Sequence, residues 1–206
     1  MKSYVYIYDN YVFDLYGTLV DILTDEDSDK FWRKIAKMLK SDATTVKNEY
    51  KTLCAEKSLQ TDSDGEFDLL EVFETMLENH SSKIDKNDFA EKFRKASIKH
   101  IRVFPNVKKR LKSLRKNGKG VYLVSNAQSC FTRAELDRLK LTPLFDDCVI
   151  SSEVGYKKPS KKIFDIAFDK FGIDKDKSIY IGNDPVDDIQ GAENAGIQAH
   201  FISRYR

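Results

Sequence analysis

The chain has 206 residues, 41% hydrophobic and 33% charged, which supplies the core of one α/β domain with a small accessory domain and argues against global disorder. The formal net charge is +2, so composition points neither to nucleic acid nor to an anionic membrane as partner. Cys54, Cys130 and Cys148 form no CxxC pair and His80, His100 and His200 lack ligand spacing, so buried thiols in a reducing cytoplasm are expected and a zinc site is not.

At the N-terminus, Tyr4–Tyr8 has strand composition, but it stops at Asp9 and is too short for a signal-peptide core. No run of about 20 apolar residues marks a membrane span. Tyr11-Val12-Phe13-Asp14-Leu15 reads as a buried strand broken by Gly17. From Asp21 to Arg102 the period becomes helical. Phe31, Ile35 and Leu39 follow a cap at Ser28. Val46, Tyr50, Leu53 and Cys54 form a second stripe, and Phe67, Leu70, Phe73 and Leu77 a third. Phe89, Phe93 and Ile101 form a fourth, capped by Asp88. A hydrophilic gap, Thr61–Gly65, separates the second and third.

After Pro105 strands and helices alternate. Val107, Leu111 and Leu114 mark a helix closed by Asn117-Gly118, and Val121–Val124 a strand. Leu136 and Leu139 lie on a helix, and Cys148–Ile150 form a strand. Ile163, Phe164, Ala167, Phe168 and Phe171 line a helix ending at Gly172. Ser178–Ile181 is a strand, followed by a helix from about Val186 to Asn194 and a last strand, Ala199–Ile202. This alternation predicts a Rossmann-like parallel sheet flanked by helices, with a helical-bundle cap inserted after the first strand. The expected division is 1–20 with 103–206 for the core and 21–102 for the cap.

Parallel sheets bind ligands beyond the carboxyl ends of their strands. Four such ends carry polar chemistry. Asp14 is either a carboxylate nucleophile or a cap for the turn after it. Ser125 and Asn126 can hold an oxyanion or serve as turn residues. Lys158, before Pro159 and a cap at Ser160, can neutralise an anion or belong to a solvated lysine cluster. Gly182-Asn183-Asp184-Pro185-Val186-Asp187-Asp188 can supply oxygen ligands to Mg²⁺ or acidic helix capping. The Lys-rich stretches 108–116 and 157–162 read as solvated faces.

In this order, the four segments resemble the haloacid dehalogenase-like superfamily. Asp14-Leu15-Tyr16-Gly17-Thr18 is similar to its first motif, Ser125 to its second, Lys158-Pro159 to its third and Gly182–Asp188 to its acidic fourth. The resemblance implies a hydrolase with Asp14 as nucleophile, Lys158 stabilising the intermediate, and Tyr16, Thr18, Ser125 and Asn126 around the substrate. It also implies Mg²⁺ held by Asp14, the Tyr16 carbonyl, Asn183, Asp184 and Asp188. The expected substrate is a small phosphorylated metabolite. The sequence departs from the phosphatase pattern at Tyr16, where an acidic general acid is usual. That wording is similar to the 2-haloacid dehalogenase branch, whose leaving group needs no proton and whose chemistry needs no metal. A weakly catalytic anion- or partner-binding member is the third reading.

Overall fold

A computed structural model of the protein describes residues 7–203. Its centre is a five-stranded sheet in the order β5-β4-β1-β6-β7. The strands are β1 (Asn10–Phe13), β4 (Gly120–Ser125), β5 (Asp147–Ile150), β6 (Ser178–Gly182) and β7 (Gln198–Phe201), every pair parallel. Side chains alternate between the two faces. Phe13 and Leu123 join one core cluster with Val107, Leu111 and Leu114 of α5 (Val107–Lys116). Val12, Val124 and Tyr180 join the opposite one with Ile163, Phe164 and Phe168 of α8 (Lys161–Phe171). Both faces are therefore covered, as an all-parallel sheet requires.

Because β1 lies between β4 and β6, with Phe13 level with Leu123 and Ile181, the segments after these strands emerge side by side. Asp14 continues the ladder, its N–H donating to the Ile181 carbonyl at 3.0 Å.

The remaining helices are α1 (Asp29–Leu39), α2 (Ala43–Leu59), α3 (Leu69–Asn79), α4 (Lys86–Ser97), α6 (Ser129–Arg138) and two single turns, α7 (Ser151–Val154) and α9 (Gly191–Asn194). A wide helical turn, Pro185–Gln190, leads into α9, where sequence periodicity predicts one regular helix. The caps at Ser28 and Ser160 are as expected, whereas the fourth helix is capped by Asp85, whose carboxylate accepts from Asn87 and Asp88, rather than by Asp88. Helices α1–α4 pack their stripes into an aromatic-rich core in which Phe93 meets Phe31 at 4.9 Å and Phe73 at 4.9 Å. Phe131, from α6 beside the sheet, is part of this same cluster.

Two strands correct the all-helical expectation for residues 21–102. β2 (Val20–Thr24) and β3 (Ile98–Val103) pair antiparallel where the chain leaves and re-enters the sheet region. Ile101 lies in this ribbon, not on the fourth helix. The ribbon is pinned by buried Asp21, which accepts from Arg102 Nε at 3.0 Å and Nη2 at 2.8 Å. The expected domain limits fall inside it. The strand expected at Tyr4–Tyr8 lies outside the described residues up to Tyr6, and Ile7 and Tyr8 are in no strand. Among the described residues no helix is long and apolar enough to cross a membrane.

Candidate active site

Lys158 is the centre of the site. It follows β5 through α7 and is joined to Pro159 by a cis peptide bond. Its backbone is clamped by Asn126. The Asn126 Oδ1 accepts from the Lys158 N–H at 2.7 Å, and its Nδ2 donates to the Lys158 carbonyl at 2.9 Å and to Asp187 at 3.1 Å. The ammonium, 2% exposed, donates to Asp14 Oδ1 at 2.9 Å, Asp188 Oδ1 at 2.6 Å and Tyr180 Oη at 2.9 Å. Burial alone would depress the Lys158 pKa, but Asp14 and Asp188 outweigh it and hold it above the ordinary lysine value. Lys158 is thus a permanent cation between two carboxylates, and the buried cluster carries excess negative charge.

Asp14 uses one oxygen for this ion pair. Its other oxygen, Oδ2, is buried without a hydrogen-bond partner. Burial raises the Asp14 pKa, Lys158 opposes the rise and Asp188 adds to it, leaving it above the usual carboxylate range. At the next strand end, the Ser125 Oγ is also buried and without a partner. Unmatched polar atoms are costly inside a protein, and two on adjacent strand ends mark a place where a ligand completes the bonding.

The turn after β1 is shaped by close approach. Gly17 has φ +84°, and a Cβ there would come within 2.6 Å of Asn183 Oδ1. That amide oxygen accepts from Thr18 Oγ1 at 2.8 Å and ties the first segment to the fourth. Gly182 is equally constrained, since a Cβ would meet the Asp188 carboxylate at 2.3 Å. Asp188 Oδ2 accepts the N–H groups of Asn183 and Asp184, each at 2.9 Å.

This geometry gives four of the expected residues partners within the protein. Asp188 is the counter-ion of Lys158, with both oxygens committed. Asn126 clamps the Lys158 backbone. The Tyr16 hydroxyl turns to Glu135 Oε2 at 2.5 Å and to Thr132 at 3.1 Å. Burial and Glu135 raise its pKa well above that of a free phenol, so it is no acid at neutral pH. Asp184 is exposed and caps the following turn through Oδ1.

Among the described residues no three His, Cys, Asp or Glu side chains converge as a metal cage. The donor set nevertheless fits one hard cation in the manner of Mg²⁺, which takes one or two carboxylates and completes its shell with water and phosphate. The unpartnered Asp14 Oδ2, beside excess negative charge, is the oxygen that fits it, and Asn183, whose side chain lies against the Gly17 turn, and its neighbour Asp184 are the residues that would complete the protein's share. A cavity of about 270 Å³ borders this turn, lined by Gly17, Asp21, Ile22, Phe104, Asn183 and Phe201, but Asp14, Ser125 and Lys158 do not line it.

Sequence reasoning missed Tyr180, Glu135 and Arg94. Tyr180 sits mid-strand and reads as core. Its hydroxyl donates to the Val124 carbonyl at 3.0 Å and lies 3.1 Å from Asp188, beneath Lys158. Glu135 and Arg94 had a signal, for each is a charge beside an apolar helical stripe.

Comparison with known proteins agrees with the architecture. The chain is 35% identical over 103 residues to a glyceraldehyde 3-phosphate phosphatase of Methanothermobacter thermautotrophicus, covering 50% of this chain and 46% of that protein. It is 35% identical over 96 residues to the pyrimidine 5'-nucleotidase YjjG of Escherichia coli, covering 46% and 42%. The matched region thus spans less than half of either relative. A 2-haloacid dehalogenase from Pseudomonas syringae superposes with TM-score 0.65 at 18% identity, covering 94% of this chain and 86% of that one. A family enzyme from Bacteroides thetaiotaomicron does so with 0.66 at 17%, covering 97% and 95%. A sequence profile described as haloacid dehalogenase-like hydrolase matches residues 11–202, and the chain belongs to that family.

Proposed function

We propose that the protein is a hydrolase of small phosphomonoesters in which Asp14 is the nucleophile. The observation that carries this reading is the pair of unmatched buried atoms, Asp14 Oδ2 and Ser125 Oγ, set beside the Lys158 cation. Oδ2 attacks phosphorus, the P–O ester bond breaks, and the alkoxide leaves, taking its proton from water because Tyr16 donates none. Water then cleaves the aspartyl phosphate, restoring the carboxylate and releasing inorganic phosphate. The Ser125 hydroxyl donates to a phosphoryl oxygen. Lys158 holds Oδ1, which leaves Oδ2 as the unengaged oxygen, and limits the negative charge that gathers as phosphate approaches. Mg²⁺, when bound at Asp14, Asn183 and Asp184, supplies further neutralisation of that phosphate. The cap shields the site, and the expected limits of 21 and 102 define its extent. The expected location is the cytoplasm.

The names of the matched relatives, a sugar-phosphate phosphatase and a nucleotidase among them, support phosphoryl chemistry over other uses of the nucleophile. A second reading, displacement of halide from a 2-haloacid, draws support from Tyr16, since that reaction needs no acid there. The test is hydrolysis of a generic phosphomonoester with Mg²⁺ and with EDTA, beside halide release from 2-chloropropionate in EDTA. Phosphate release dependent on Mg²⁺ supports the first reading, and halide release without phosphate release replaces it with the second. Turnover of neither, with thermal stabilisation by inorganic phosphate, would assign anion binding alone.

A further inference from the structure

The cap and the turn after β1 are joined by one buried carboxylate. Glu135, on α6 and with a side chain 4% exposed, accepts from Arg94 Nε at 2.7 Å through Oε1 and from the Tyr16 hydroxyl through Oε2. Arg94 comes from α4 of the cap. Its guanidinium lies 4.9 Å from the Phe131 ring centroid, 6.0 Å from that of Tyr16 and 3.8 Å from Glu26 Oε1. Thr132 completes the set, 3.1 Å from the Tyr16 hydroxyl. Three distant segments thus share one charged group: the nucleophile turn, a helix beside the sheet, and the last helix of the cap.

A carboxylate this buried is tolerable only with its cation in place. If Arg94 withdraws, Glu135 loses its partner and must turn towards water, which weakens its hold on Tyr16. The phenol sits two residues after Asp14, in a turn secured by few backbone bonds: Gly17 N–H to Val20 carbonyl at 2.8 Å, and Leu19 and Val20 N–H to the Leu15 carbonyl at 2.8 and 2.9 Å.

We propose that Glu135 is a positioning residue that couples docking of the cap, through Arg94, to the order of the nucleophile turn, through Tyr16. The coupling itself needs no assumption about the reaction. Only its effect on turnover rests on Asp14 being the nucleophile.

Hydrogen exchange read by mass spectrometry on the full chain tests it without a substrate. Arg94→Met is expected to speed exchange of residues 17–20 about tenfold while β4 and α8 stay protected, a local opening rather than a global one. Arg94→Lys should recover part of the protection. In a Tyr16→Phe background the turn should already exchange fast, and adding Arg94→Met should change it by less than about twofold, because the link is already cut. Loosening confined to α4, or an equal effect of Arg94→Met with and without the Tyr16 hydroxyl, would overturn the coupling. Should Arg94→Met not fold, Glu135→Gln keeps the shape and removes the charge, and an unchanged turn in that variant overturns it as well. Inactivity towards every phosphomonoester would defeat the proposed reaction and leave these exchange results standing.

Discussion

The floor of the site and the seam beneath the cap are both buried ionic networks, but they are built for different ends. On the floor, one lysine faces two carboxylates and an oxygen of the first is left unmatched, so the network is complete only with a ligand. At the seam, Arg94, Glu135, Tyr16 and Thr132 satisfy one another, and the result is a joint rather than a receptor. A second part of the seam adds main-chain bonds. The segment Thr61–Gly65, which reads as a hydrophilic gap, comes down on the loop that carries Lys158. There the Glu66 N–H donates to the Gly155 carbonyl at 2.9 Å and the Lys157 N–H to the Asp64 carbonyl at 3.1 Å. The difference teaches that unmatched polarity, not buried charge as such, separates chemistry from architecture.

Substitutions can break this contrast. Asp14→Asn should lower turnover by at least about a thousandfold while the protein stays folded, since it removes the nucleophile and keeps its shape. Steady-state kinetics with circular dichroism decides this, and full activity in the variant would sink the assignment. Lys158→Met should abolish turnover and also destabilise the fold by roughly 3–5 kcal/mol, because it leaves two carboxylates buried without their cation. Urea unfolding measures the loss, and a variant as stable as the parent would mean that the floor is not the ionic cluster described above.

Ser125→Ala sharpens the distinction. A buried hydroxyl without a partner contributes nothing to stability, so removing it should leave Tm unchanged or raise it, while KM for a phosphomonoester rises about tenfold. A fall in Tm with unchanged kinetics would make Ser125 structural. The smallest effect concerns pH. The Asp14 pKa is raised in the folded state, chiefly by burial, so the proton is bound more tightly there than in the unfolded chain. Its contribution to stability is present below the unfolded value, near 4, and is lost as pH rises through the higher folded value. Urea unfolding without Mg²⁺ checks the sign: Asp14→Asn, which cannot titrate, should flatten the loss of stability as pH rises above the unfolded aspartate value, and an unchanged pH profile in that variant would contradict the burial of Asp14.

The same contrast governs what could be read from the sequence. The sheet was legible because its strands are short apolar runs between turn residues, and each polar group at a strand end follows its run directly. The β2–β3 ribbon was not, since Asp21 and Arg102 pair across 81 positions and neither strand is apolar throughout. The roles of Asp188 and Asn126 depend on which way their side chains turn. Asp188 curls back onto the backbone of Asn183 and Asp184, and Asn126 reaches across to the next loop. Glu135 did leave a trace. It is four residues from Phe131 and adjacent to Leu136, on the face of α6 that packs inward, where an acid has no reason to lie unless something meets it.

The ribbon at the base of the cap has a practical consequence. Thr24 stands opposite Ile98 in the ladder, so the chain departs and returns at neighbouring points, about 5 Å apart as antiparallel pairing dictates. Any segment whose two ends sit that close can be spliced onto the same stem without rethreading the sheet. A chimera joined at these two positions would keep the chain path of the sheet, and it would keep the turn after β1 ordered only where the incoming segment brings a cation to Glu135 in the place of Arg94.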